Sequence, residues 1–123
     1  MTHRVLIVDD ETLIASSLKA FLEDEELTAD FVSSAEEALE LLRQPHRYDV
    51  CIMDMRLPGM DGSTAIRWIH ELAPEMRFIV HTGSVNYIIT SELKRLGVME
   101  QHLFHKPLSD MRLIAEAVRA LQG

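Results

Sequence analysis

A doubly wound α/β sandwich is the fold this sequence predicts, and two observations carry the prediction. Short apolar runs rich in Val, Ile and Leu alternate with segments whose apolar residues recur every three or four positions. The runs are continuously apolar rather than alternating, as strands covered on both faces are. Parallel strands joined through helices require right-handed crossovers, which place helices on both sides of one sheet.

The elements follow in order. Val5-Leu6-Ile7-Val8 reads as the first strand, and Ile14, Leu18, Phe21 and Leu22 form the apolar stripe of the first helix. The acidic run Glu23-Asp24-Glu25-Glu26 reads as its solvated end. The second strand is Ala29 to Val32, and the second helix carries Ala35, Ala38, Leu39 and Leu42 behind a capping box formed by Ser34 and Glu37. Val50-Cys51-Ile52-Met53 is the third strand. Asp61 or Ser63 caps a third helix that Pro74 ends. Phe78-Ile79-Val80 is the fourth strand, Gly97 closes the fourth helix, and Leu103-Phe104 is the fifth strand. Ser109 is expected to cap the last helix, which shows Ile114, Ala117, Val118 and Leu121 on one face.

The 123 residues, 47% of them hydrophobic, suit one domain over 1–123 with a core that needs no staple. No apolar run approaches the roughly 18 to 20 residues of a membrane span. Met1-Thr2-His3-Arg4 leads directly into a strand rather than a signal-peptide core, so a cytoplasmic location is expected. The single cysteine, Cys51, lies in an apolar run and reads as a buried, inert thiol. Twenty acidic residues against twelve basic give a net charge of -8, which opposes direct nucleic-acid binding.

The polar residues that interrupt the apolar pattern share a position. Asp9 and Asp10 follow the first strand, Asp54 closes the third, Thr82 the fourth and Lys106 the fifth. In open parallel sheets, ligands bind at that carboxyl edge, where strand order reverses. With the order 2-1-3-4-5 the first and third strands are neighbours, so the three aspartates converge while Thr82 and Lys106 approach from the other side. Clustered carboxylates call for a cation, and an oxygen-rich open site suits Mg²⁺. A carboxylate is also a competent nucleophile toward phosphorus once charge on the phosphoryl oxygens is neutralised.

Four segments resemble the receiver domains of response regulators, the phospho-acceptor modules of two-component signalling. They are Val5 to Glu11, Asp54 to Gly62, His81-Thr82-Gly83 and Lys106-Pro107, in the family's order. The resemblance spans essentially the whole chain. It implies a flavodoxin-like sheet with five helices, phosphorylation of Asp54, and a Mg²⁺ or Mn²⁺ ion held directly by Asp10, by Asp54 and by the Arg56 backbone carbonyl, with Asp9 a ligand through water or an electrostatic partner. Thr82 resembles the switch hydroxyl, and Lys106 the lysine that pairs with the acceptor and then the phosphoryl group. A cis Lys106-Pro107 bond is implied too. The implied donor is a histidine kinase or histidine phosphotransfer protein, and the implied output face is helix 4, strand 5 and helix 5. Such a module is not an enzyme beyond promoting its own phosphorylation and dephosphorylation.

Two other readings compete. A phosphatase with an aspartyl-phosphate intermediate usually carries a second acid two residues after the nucleophile, where this chain has Arg56. A receiver-shaped interaction module that no longer takes phosphate would lack parts of the acceptor set, all of which are here. One departure from the family pattern stands out: three residues before Lys106, where an aromatic is usual, lies Leu103. Phe104 follows it and should face the opposite side of the strand. The segment from Gly97 to Lys106 is also about two residues longer than usual. His102 and His105 read as surface or strand-end histidines, and Met53, Met55 and Met60 as packing and loop residues.

Overall fold

Val5 to Val8 are at most 1% exposed, as continuous apolar strands must be when helices cover both faces. They belong to β1 (Arg4–Val8), which lies between β2 (Thr28–Val32) and β3 (Tyr48–Met53). The structure, a computed structural model, describes residues 3–84 and 86–123; Met1 and Thr2 of the N-terminal reading lie outside them. β4 (Arg77–Thr82) pairs with β3, and β5 (Leu103–His105) pairs with β4. All pairings are parallel and the order is β2-β1-β3-β4-β5, as expected.

Alternation along each strand sends apolar side chains to two cores. Leu6, Val8, Cys51, Met53, Phe78 and Val80 meet α2 (Ala35–Leu42), α3 (Gly62–Leu72) and α4 (Ser91–Arg95). Val5, Ile7, Val50, Ile52 and Ile79 meet α1 (Thr12–Asp24) and α5 (Arg112–Gln122). Burial pushes the Cys51 thiol up to about 12, so it stays protonated and inert. At the amino edge of the sheet, Asp30 accepts 2.7 Å hydrogen bonds from both Arg4 and Tyr48 and so ties β2, β1 and β3 together. No described helix is long and apolar enough to cross a membrane.

The local signals hold in most places. Ser34 accepts from the Glu37 N–H and Asp61 from the Thr64 N–H, each capping its helix. Gly97, at φ +98°, follows α4, and α3 ends at Leu72 shortly before Pro74. Ser109 is the exception. α5 starts three residues later, and it is Asp110 that accepts the Arg112 N–H, at 3.0 Å, with the Arg112 guanidinium folded back onto the same carboxylate. The N-cap position falls on Met111 and has no side-chain cap, so the Asp110 contacts form an Asx turn just ahead of the helix.

The extra length before Lys106 is taken up by a 3-10 turn, Glu100–His102. It leads Leu103 into β5 on the α2/α3/α4 side, while Phe104 packs on the α1/α5 side. The expected opposition of these two side chains is therefore present.

Candidate functional site

Asp9, Asp54, Thr82 and Lys106 sit at the carboxyl edge of the sheet because each directly follows, or closes, a strand, and Asp10 and Arg56 lie in the loops just beyond. Asp54 continues the β1–β3 ladder, its N–H donating to the Val8 carbonyl at 3.0 Å. The Lys106 N–H likewise extends the β4–β5 ladder by donating to the Thr82 carbonyl at 2.8 Å. The Lys106-Pro107 bond is cis. The chain after β3 turns at Gly59, whose φ of +76° suits glycine, and the next N–H, that of Met60, donates to Glu36 on α2.

Lys106 is the hub. Its ammonium lies 2.7 Å from Asp9 Oδ2, 2.7 Å from Glu11 Oε1 and 3.3 Å from Asp54 Oδ2. Burial alone would lower its pKa, but the hydrogen bonds to Asp9 and Glu11 and the charges of Asp54 and Asp9 outweigh burial and raise it. Asp9 is 2% exposed, and burial holds its carboxyl above the usual range even though Lys106 and the Glu11 N–H pull the other way. Its two oxygens are both engaged, Oδ1 accepting from the Glu11 N–H at 2.9 Å and Oδ2 facing the lysine. The exposed Glu11 carboxylate is held below its ordinary range, first by the hydrogen bond from Lys106.

Asp54 is 4% exposed. Its Oδ1 accepts the Arg56 N–H at 3.1 Å, while Oδ2 points to Lys106. The carboxylate is therefore oriented from both sides, and it opens on a pocket of about 260 Å³ lined by Asp10, Glu11, Asp54, Arg56 and Gly83. Thr82 is fully buried, and its hydroxyl accepts the Ser84 N–H at 3.2 Å. The Ser84 carbonyl in turn accepts the Tyr87 N–H at 3.3 Å.

Among the described residues, Asp9, Glu11 and Asp54 bring carboxylate oxygens within 4.8 Å of one another. An all-oxygen donor set beside a polar, open pocket fits a hard divalent cation that retains its waters. Asp10, expected to converge with Asp9 and Asp54, is exposed and lies outside that triad, on the pocket wall beside Asp54. Glu11 is the residue that sequence reasoning missed. The signal was there, since it completes the acidic triplet after β1, but only the fold reveals that it reaches Lys106, 95 positions away.

Two histidines differ from simple surface groups. His102 is 6% exposed, buried in the 3-10 turn, whereas His105 is exposed at the end of β5. His81 is 5% exposed with neither ring nitrogen hydrogen-bonded among the described residues, and burial pushes it down to about 4. A histidine whose folded pKa lies below its unfolded value of 6.5 contributes stability present above pH 6.5 and lost as pH falls toward 4. That shift amounts to about 3 kcal/mol at most. Chemical denaturation should thus show the wild type losing more stability than His81→Phe between pH 7 and 4.5; parallel curves would mean that His81 is solvated.

Helix α3 begins hard against Asp54. A Cβ added at Gly62 would lie 2.7 Å from the Met55 Cα and 2.8 Å from the Asp54 carbonyl oxygen. Helix propensity favours alanine by at most about 1 kcal/mol, but overpacking against backbone costs about 1–3 kcal/mol. Gly62→Ala should therefore lower the urea midpoint, and an unchanged midpoint would show that α3 can shift freely away from Asp54.

The profile of the response regulator receiver domain matches residues 5–118. The chain belongs to the response regulator receiver family. The receiver domain is similar to the uncharacterized transcriptional regulatory protein YesN of Bacillus subtilis, at 30% identity over 118 residues, which are 92% of this chain and 31% of that protein. It also resembles Histidine kinase 2 of Arabidopsis thaliana, at 32% identity over 83 residues, 68% of this chain and 7% of the kinase. The chain thus spans less than a third of either relative. A crystal structure of a response regulator receiver protein from Pseudomonas putida superposes with a TM-score of 0.83 at 28% identity, covering 98% of each chain. Receiver domains of this kind belong to two-component systems.

Proposed function

We propose that this receiver domain accepts a phosphoryl group on Asp54 and uses it to switch partner binding. The observation that carries the reading is the state of the Asp54 carboxylate: buried, oriented by the Arg56 N–H, facing an ammonium, and open on a polar pocket. The carboxylate attacks phosphorus, the bond to the donor's nitrogen or oxygen breaks, and the leaving group departs with that electron pair. Lys106 follows the growing negative charge from the carboxylate to the phosphoryl oxygens.

Mg²⁺ or Mn²⁺ would be held by Asp10, Asp9, Asp54 and the Arg56 carbonyl, with Glu11 added to the set. It supplies charge neutralisation for the phosphoryl oxygens. The Thr82 hydroxyl donates to a phosphoryl oxygen once it leaves its present bond with Ser84. Releasing the Ser84 N–H loosens the turn that holds Tyr87, so the segment from Gly83 to Tyr87 and α4 move while Leu103 stays nearly still. Val85, inside that segment, lies outside the described residues.

The donor is a histidine kinase or histidine phosphotransfer protein, consistent with the similar segment in the Arabidopsis kinase. The output partner reads the face formed by α4, β5 and α5, and the similarity to a transcriptional regulator fits an output attached or recruited there. The charge of -8 argues against direct nucleic-acid contact by this domain, and the cytoplasm is the compartment proposed. Incubation with acetyl phosphate and Mg²⁺ should add one acid-labile phosphoryl group by intact mass. A spectrum without that addition would overturn the proposal.

A further inference from the structure

Among the described residues, four carry buried side-chain polar atoms with no hydrogen-bond partner, and three of these belong to the elements that adjoin α4. His70 Nδ1 is on α3, one turn past Arg67, which bridges to Glu92 of α4 at 2.9 Å. His102 Nδ1 is in the 3-10 turn after α4, and the Tyr87 hydroxyl is in the segment that leads into it. With five residues, α4 is the shortest α-helix described. It is seated where the unmet polar demand of the fold is concentrated.

Tyr87 is the unusual member. A tyrosine near a surface ordinarily rests its ring on apolar neighbours and keeps its hydroxyl in water. Here the residue is partly exposed, yet the hydroxyl is the buried end, against the apolar packing on the α2/α3/α4 side of the sheet. A hydroxyl taken out of water without a partner costs free energy, and in solvent the same group is satisfied. A short relay holds the resting position. The Tyr87 N–H donates to the Ser84 carbonyl at 3.3 Å, and the Ser84 N–H donates to the Thr82 hydroxyl at 3.2 Å. Both bonds lie at or beyond the long end of the range for N–H donors. Thr82 closes β4 at the acceptor edge, so two weak bonds connect the buried hydroxyl to the surroundings of Asp54.

We propose that Tyr87 is the switch residue of this domain: when the Thr82 hydroxyl turns to the phosphoryl group, the relay opens, the Tyr87 hydroxyl leaves the core for water, and its ring joins the surface at the entrance to α4. This rests on the phosphoryl reading of Asp54 given above and names the side chain that reports it. Ile88, the next residue, is already 78% exposed, so release adds an aromatic ring to an apolar surface. The unmet hydroxyl lowers the cost of switching, because it penalises the resting state alone.

The chain has two tyrosines, so labelling the full chain with 3-fluorotyrosine gives two fluorine resonances, and Tyr87→Phe assigns them. Tyr48 donates to Asp30 at the opposite edge of the sheet and serves as the internal reference. On adding beryllofluoride, a phosphoryl mimic, with Mg²⁺, the Tyr87 resonance should move toward that of the free amino acid while Tyr48 stays in place. In the unlabelled chain, Tyr87→Phe should raise the urea midpoint of the resting protein, because phenylalanine buries the same ring without the unmet hydroxyl. It should also raise the beryllofluoride concentration for half-conversion, read at the Gly83 amide, by about fivefold, the factor that matches the lower end of the cost of an unmet buried hydroxyl. A Tyr87→Phe midpoint at or below wild type would overturn the proposal, since the hydroxyl would then have a partner. A Tyr87 resonance that stays in place while acetyl phosphate labels Asp54 would overturn it and leave the phosphoryl reading standing. Loss of both the shift and the labelling would overturn both.

Discussion

Asp54→Asn is expected to abolish labelling by acetyl phosphate in the presence of Mg²⁺, although three other carboxylates lie close by. The reason is geometric rather than a matter of local charge. Asp9 has one oxygen tied to the Glu11 N–H and the other to Lys106. Glu11 is bound to Lys106 and lies at the exposed side of the site. Asp54 alone combines burial, a fixed orientation from the Arg56 N–H and direct access to the open pocket. The asparagine side chain is nearly isosteric and removes one negative charge from the cluster, so the variant should fold. Labelling of Asp54→Asn at a rate within tenfold of wild type, located by peptide mass on Asp9, Asp10 or Glu11, would move the acceptor to that residue.

Lys106→Met should destabilise the metal-free protein by about 3 kcal/mol, the lower end of what removing one partner of a buried ion pair costs. Methionine keeps most of the stem and its packing, so the loss reports the charge. Without the ammonium, Asp9, Glu11 and Asp54 keep oxygens within 4.8 Å of one another and lack their counter-ion. Asp9 limits the damage. Burial already raises its pKa, so it takes up a proton before the full repulsion develops. The loss should accordingly shrink at pH 5 and again on adding Mg²⁺, because a ligand of the folded state alone restores stability by mass action. Urea titrations with chelator and with Mg²⁺ separate the cases. An equal loss under both conditions would mean that Lys106 serves packing and not charge balance.

Much of this architecture was legible in the residues themselves. Runs such as Val5 to Val8 and Val50 to Met53 have no polar face to expose, so only a doubly covered sheet can hold them. The cap at Ser34 was readable because both partners of the box lie within four residues. What escaped was set by distance in sequence or by competition between neighbours. Glu11 gains its role from a lysine 95 positions away. Ser109 does not cap α5 because Asp110 forms a turn with the Arg112 N–H and guanidinium, and the helix begins only beyond Met111. The burial of His102 depends on a 3-10 turn that no periodicity announces, since three residues are too few to show one.

The brevity of β5 has a bearing on solubility. An edge strand offers unpaired N–H and C=O groups to any other chain, and long flat edges invite sheet-to-sheet addition. Here the edge is three residues, entered from a 3-10 turn and followed closely by Pro107, whose nitrogen carries no hydrogen. A foreign strand finds too few consecutive donors and acceptors to lengthen the sheet. Contacts that other proteins make on this side fall to its side chains, and the edge gives them little backbone on which to grow a fibril.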